Sequence, residues 1–198
     1  MLNIFGRRAY STSSKSWIQR QARDPYVKAA KSQQYRARSA FKLLQLNDKY
    51  RILRRGQIVV DCGAAPGGWT QVAVEMVQNK GKVIAVDLLP MDPLPGATVI
   101  QGNFLQRKTQ VAIKSALQDK LVNVVCSDMA PSFSGNHLAD HARSMFLMGG
   151  TEVEFRRKLQ TMFEKVKQEK PDASRKQSTE RFFVALGYSP PSADTTEQ

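Results

Sequence analysis

Three features of this 198-residue chain predict an α/β fold, a mostly parallel sheet with helices on both faces. Short apolar runs alternate with stretches of helical periodicity. A turn holding three glycines, "DCGAAPGGWTQ" from Asp61 to Gln71, joins the first run to a helix. The second run ends in an acid, Asp87, about 20 residues beyond those glycines, the spacing at which nucleotide-binding sheets place a ribose contact.

Taken in order, the elements read as follows. Residues 1–20 hold Arg7, Arg8, Arg20 and a Ser/Thr run, and no acid precedes Asp24. Arg-rich, Ser-rich and acid-poor is the composition of an organelle transit peptide, with a basic RNA-touching arm as the alternative. The tail from residue 189 to residue 198 is polar and reads as a loose end. Asp24-Pro25 starts a helix whose apolar positions include Ala40, Phe41, Leu43, Leu44 and Leu46. Its other face carries Lys28, Lys31, Arg36, Arg38 and Lys42. "QIVVDCG" is a buried strand, "GWTQVAVEMVQ" a helix and "NKGK" a turn. "VIAVDLLP" is the second strand, "ATVIQGNF" the third, and "RKTQVAIKSALQDK" an amphipathic helix. "LVNVVCSDMAP" is the fourth strand and ends at Asp128. After it comes an amphipathic helix, "MGGTEVEFRRKLQTMFEKV", then a strand around Arg181–Leu186.

Composition limits the function. Hydrophobic residues make up 41% of the chain, enough for a core. No apolar run approaches the ~18 residues of a membrane helix, so membrane insertion is not expected. A net charge of +13 points to a polyanionic partner, nucleic acid before anionic membrane. Cys62 and Cys126 are the only cysteines and have no CxxC spacing, which argues against a disulfide framework and against zinc. They read as buried free thiols, and no metal site is expected.

The glycine turn sits where open α/β sheets bind ligands. Gly63, Gly67 and Gly68 allow backbone to approach a ligand, and Pro66 stiffens the loop. The pattern is not G-x-G-x-x-G, and no Gly-Lys-Ser/Thr follows, so neither a dinucleotide fingerprint nor a Walker A loop is present. A glycine loop with an acid at Asp87 fits a nucleoside cofactor whose ribose carries no 2′-phosphate.

The stretches "DPYVKAAKSQQYRARSAFKL", "DCGAAPGGWTQVA", "VIAVDLLPM", "VVCSDMAPSFSG" and "KPDASRKQSTERFFVALGY" together resemble the FtsJ/RrmJ family of ribosomal RNA 2′-O-ribose methyltransferases. With the transit-like N-terminus, the mitochondrial large-subunit member is the nearest likeness. The resemblance covers residues 21–188. It implies a Rossmann-like methyltransferase fold, S-adenosyl-L-methionine (SAM) as cofactor, and rRNA of the large ribosomal subunit as partner, with no stable protein partner. It implies a methyltransferase domain over residues 21–188 in the mitochondrial matrix, acting on a uridine ribose in support of ribosome assembly. By motif, Gly67, Gly68 and Trp69 would line the SAM pocket and Asp87 would hold the ribose. Asn103 stands where many relatives have Asp and would approach the adenine, while Asp128 would stand beside the transferred methyl. The family's catalytic Lys-Asp-Lys-Glu set maps onto Lys42, Asp128 and Glu180, with the second lysine unmatched.

That lysine belongs, in the family, to a helix-plus-strand unit that follows Asp128. Here the chain runs straight on into the amphipathic helix, with no apolar strand-like run between Phe146 and Thr151. One unit of the fold is therefore expected to be absent near residues 147–149. Lys158 and Lys165, placed on the following helix, do not match the missing lysine. The strand ending at Asp128 must then expose an edge or pair with the C-terminal strand. Two alternatives to an active enzyme follow: an impaired relative that binds RNA and SAM, or a nucleotide-binding ribosome-assembly scaffold.

Overall fold

A computed structural model describes residues 19, 22–129, 152–178 and 180–189. The transit-like segment, the polar tail beyond residue 189 and the stretch around residues 147–149 lie outside the described residues.

The fold departs from one continuous helix over this first stretch. Helix α1 (Pro25–Ser32) and helix α2 (Ala40–Tyr50) replace it. Asp24 starts α1, its carboxylate accepting from the Tyr26 and Val27 amides. The break comes at Gln34, which takes a left-handed φ of 60°. The helical period continues through it, but a left-handed residue cannot propagate a right-handed helix. The turn lets Tyr35 reach back to the Ala30 carbonyl and donate through its hydroxyl to Glu75 at 2.7 Å.

The sheet follows the predicted alternation. Strand β1 (Ile58–Cys62) leads through the glycine turn into α3 (Gly68–Val77). Strands β2 (Lys82–Asp87) and β3 (Ala97–Gln101) come next, then α4 (Arg107–Leu117) and β4 (Val124–Ser127). These four strands are parallel, in the order β3-β2-β1-β4. Alternate residues of one strand face opposite layers. Val59 joins Val72, Ala73 and Val77 of α3 and Leu43 of α2 in one apolar layer. Val60 joins Ile84 and Val86 in the other, beneath Ile113 and Leu117 of α4. Cys126 belongs to the first layer and Cys62 to the second, so the sheet separates the two free thiols.

Helix α5 (Glu152–Met162) passes directly into β5 (Phe163–Glu169), which pairs antiparallel with β6 (Phe182–Tyr188). The "FEKV" end of the predicted helix is therefore strand, and Lys165 lies on β5 rather than on a helix. Nonlocal pairing with β6 overrides the local period there. Among the described residues this hairpin forms a sheet of its own, and nothing pairs with the outer side of β4. Among the described residues β4 does not pair with the C-terminal strand. The hairpin still joins the first apolar layer through Val184, Phe182 and Leu186.

Candidate active site

The strand order reverses between β1 and β4, because β2 and β3 lie to one side of β1 and β4 to the other. A crevice opens at the carboxyl ends of strands at such a point. The glycine turn leaves β1 on one wall of it, and Asp128 leaves β4 on the other.

The turn is held from below. The Gly63 and Ala64 amides donate to the Val86 carbonyl, at 2.8 and 3.2 Å. The Asp87 carboxylate takes one amide on each oxygen: Ala65 N–H on Oδ2 and Leu89 N–H on Oδ1, both at 2.8 Å. Each oxygen keeps a further lone pair for a ligand hydroxyl.

The three glycines serve different surroundings. Gly63 has φ +75°, and a Cβ there would lie 2.0 Å from Cγ of Met129, so it faces the chain leaving β4 across the crevice. Gly67, at φ +112°, is required by its conformation, and a Cβ on it would meet the Arg36 side chain at 3.0 Å. A Cβ on Gly68 would meet that of Ala37 at 3.1 Å. Gly67 and Gly68 are thus packed against the segment between α1 and α2. Pro66 is exposed, and its carbonyl accepts from Arg36 at 3.4 Å.

Trp69 is placed differently from a ring lining a pocket. It is 5% exposed, its indole N–H donates to the Ser39 carbonyl at 2.9 Å, and its ring lies 5.7 Å from that of Phe182. The side chain locks α3 to α2 and β6, which leaves the backbone amide as its means of touching a ligand. Asn103 is likewise engaged, since its side-chain oxygen accepts from the Leu105 amide at 2.9 Å. Its amide nitrogen and the oxygen's second lone pair are left for a ligand.

Lys42, Asp128 and Glu180 come together from α2, the end of β4 and the entry to β6. Lys42 Nζ donates to Asp128 Oδ1 at 3.1 Å and to Glu180 Oε2 at 3.0 Å. It also lies 5.3 Å from the centre of the Phe182 ring. Burial pushes the Asp128 carboxyl above the usual carboxylate range, against the pull of the Lys42 charge, and the Glu180 charge adds to the rise. Lys158 and Lys165 are exposed on α5 and β5 and make no contact with this cluster.

The predicted RNA-facing side chains divide. Lys28 and Lys31 are exposed on α1. Arg36 instead straps the glycine turn to the chain after β2, donating to the Asp92 and Pro93 carbonyls at 2.8 and 2.7 Å. Arg38 is ion-paired with Asp24. Sequence reasoning took Asp24 only for a helix start, and it missed Arg175, whose guanidinium also reaches Asp24, at 3.5 Å. The one signal for Arg175 was its place five residues before Glu180.

A sequence model of the FtsJ-like methyltransferases matches residues 35–151 and again 145–188. The chain belongs to the FtsJ-like methyltransferase family. The ribosomal RNA large subunit methyltransferase E of Alkalilimnicola ehrlichii is 42% identical over 206 residues, covering 92% of this chain and 99% of its own. The protein of the same name from Granulibacter bethesdensis is 40% identical, covering 92% and 88%. A solved ribosomal RNA methyltransferase from Plasmodium falciparum matches this fold with a TM-score of 0.65 at 29% identity, over 78% of this chain and 98% of that one. The architecture is that of a Rossmann-like methyltransferase.

One buried group of this FtsJ-like chain was not singled out by the sequence. Asp61, at the end of β1, is 1% exposed. Its Oδ2 accepts from the Thr70 hydroxyl at 2.7 Å, while Oδ1 has no hydrogen-bond partner. Its remaining polar neighbour is the Cys126 thiol, a weak donor. Burial pushes the carboxyl up to about 6, with Thr70 opposing the rise. Burial also pushes the Cys62 thiol to about 11 and that of Cys126 well above its usual value, so neither is a nucleophile near neutral pH.

Proposed function

We propose that this chain is built for SAM-dependent methylation of a ribose 2′-oxygen, at a uridine of large-subunit rRNA. The observation that carries this reading is Lys42 held between Asp128 and Glu180 at the crevice beside the glycine turn. The names of the relatives supply the rRNA, and the net charge of +13 suits it.

The residues present fit the cofactor. Asp87 offers a carboxylate to two ribose hydroxyls. The N-terminus of α3 has no side-chain cap, so its first amides are available to a carboxylate. When bound, SAM supplies an already activated methyl group. Alignment and removal of the hydroxyl proton are then the protein's share. Lys42 donates to both carboxylates, so its ammonium is placed to hand a hydrogen bond to the 2′-oxygen and fix its direction. It is not placed to take the proton. Asp128 fixes Lys42 from the β4 side and Glu180 from the β6 side, which centres the ammonium in the cleft. Among the described residues no second lysine joins this set.

A specific observation favours a second reading, in which this chain is an impaired form that binds SAM and RNA in ribosome assembly. Among the described residues β4 has no outer partner, and α5 runs directly into β5. The two family matches meet over residues 145–151. The alignment with the Alkalilimnicola protein spans 206 positions but uses 92% of 198 residues, about 182, so roughly two dozen positions have no counterpart here. These points support loss of a helix-plus-strand unit, with its lysine, near residues 147–149. The transit-like composition of residues 1–20 supports a mitochondrial matrix protein; these residues fused to a reporter should carry it there, and a cytosolic reporter would leave the basic-arm reading.

The deciding experiment incubates the chain with methyl-labelled SAM and large-subunit rRNA. Label retained in alkali-resistant dinucleotides marks ribose methylation, and label on a base would overturn the proposal. Binding of SAM and rRNA without turnover selects the impaired reading. Asp87→Ala should weaken SAM binding by about 1–3 kcal/mol in calorimetry; unchanged affinity removes Asp87 from the site.

A further inference from the structure

The cleft that holds Lys42 has a second charged end. Its volume is about 410 Å³, and Arg38, Arg175, Gln177 and Ser178 line it beyond Lys42 and Glu180. At this end one carboxylate serves two guanidinium groups. Asp24 Oδ2 accepts from Arg38 Nη1 and from Arg175 Nε. Asp24 itself is fixed, because its Oδ1 accepts from the Tyr26 amide at 3.0 Å. Arg38 is fixed as well: Nη2 donates to the Ala173 carbonyl, and the guanidinium lies over the Tyr26 ring at 5.6 Å. Its Nε is buried without a partner.

Arg175 differs from Arg38. Its side chain is 36% exposed, and its Nε contact with Asp24 is long, at 3.5 Å. An arginine carries five N–H donors in a planar fork, and here the two Nη groups are left for a ligand.

The cleft is therefore polarised. Two arginines on one acid leave a net positive end. One lysine between two acids leaves a net negative end. Arg38 lies just before α2 and Lys42 in its first turn, and both line this one cleft. An RNA strand offers the matching pair over such a short span: a hydroxyl that donates, and a phosphate that is negative.

We propose that Arg38 and Arg175, held in place by Asp24, form a seat for a backbone phosphate of the RNA strand whose ribose meets Lys42. The inference rests on the RNA-methyltransferase reading above and adds a position for the strand. Phosphate contacts of this kind set register and direction rather than sequence. Asp24 is a positioning residue here, acting through the two arginines.

The test is a salt titration of RNA binding with the full chain, using a fluorescein-labelled hairpin of large-subunit rRNA, beside calorimetry of SAM. Arg175→Gln should lose about tenfold in affinity at low salt, and the slope of log K against log salt should flatten by about one. Asp24→Asn supplies the sharper contrast. It raises the net charge by one, so a merely basic surface would bind RNA more tightly. A seat that depends on Asp24 to aim its arginines binds less tightly. Should Asp24→Asn fail to fold, Arg175→Lys keeps the charge and removes the fork, and must also bind less tightly. SAM affinity should stay unchanged in each folded variant. Wild-type affinity in Arg175→Gln or Arg175→Lys, or tighter binding by folded Asp24→Asn, overturns the seat alone. A wild-type chain that binds no rRNA overturns the methyltransferase reading with it.

Discussion

The two sides of β1 are finished to different degrees. On one side β2 is buried at its four central positions and β3 closes the ladder beyond it. On the other side β4 pairs, among the described residues, with β1 alone, and its Val125 is 67% exposed. The glycine turn and Asp87 belong to the finished side. Asp128 belongs to the open one, and Glu180 arrives on a hairpin that joins no strand of the main sheet. The glycine turn and Asp87 thus rest on strands paired on both sides, whereas the Lys42 cluster lies at a border where, among the described residues, β4 has no outer partner. Under the proposed function, ligand binding and turnover would therefore fail separately.

The largest effect should come from closing the open side. Inserting a family helix-plus-strand segment with its lysine between residues 147 and 149 should raise methyl transfer by about 10²–10⁴-fold, the usual worth of a general base. Single-turnover rates on rRNA would measure it. Equal rates before and after would mean that a lysine already present, Lys42 first, removes the proton.

A next effect, of about 3 kcal/mol at most, lies in the finished side. The Asp61 carboxyl is raised in the fold from 3.8 to about 6. The folded chain therefore keeps a proton that the unfolded chain releases, and stability falls as pH rises from about 4 to about 6. Asp61→Asn can still accept from Thr70 and removes that fall. It should stabilise the chain at pH 7.5 and make little difference at pH 4, as urea unfolding at the two values would show. A gain that does not depend on pH would mean that Asp61 is not the source.

Lys42→Met probes the border itself. Asp128 and Glu180 would face each other without their cation, at a cost of about 2 kcal/mol near neutral pH. Acid should relieve it, because burial already raises the Asp128 carboxyl and its protonation removes the repulsion. Melting temperatures across pH 4–8 provide the check, and a deficit that persists at pH 4 would point to lost packing on Phe182 instead. The smallest effect concerns the exposed edge. Val125→Lys should change stability by less than about 0.5 kcal/mol while reducing aggregation, read by light scattering at rising concentration.

The finished side was also the more legible one in sequence. A buried strand, a glycine turn and an acid at Asp87 are local patterns, and the fold keeps them where they were read. Lys42, Asp128 and Glu180 are 138 residues apart at the extremes, and only their motifs, not any spacing, joined them before the fold did. The break at Gln34 was hidden because apolar spacing continues across it. The start of β5 was hidden because "FEKV" satisfies a helix until β6 pairs with it. Trp69 looked like part of a ligand motif, yet its ring fills the junction of α2, α3 and β6. Asp24 and Arg175 stand 151 residues apart, and no local pattern links them.

That junction also gives the molecule an optical property. The chain has two tryptophans, Trp17 and Trp69. With Trp17 replaced by Phe, all indole emission would come from a ring screened from water, bonded to the Ser39 carbonyl and tilted against Phe182. Its wavelength would shift to the red only when water reaches the place where the C-terminal hairpin meets the glycine-turn helix. The intensity and colour of a single residue would then follow, in real time, whether the hairpin that delivers Glu180 is seated or has lifted away.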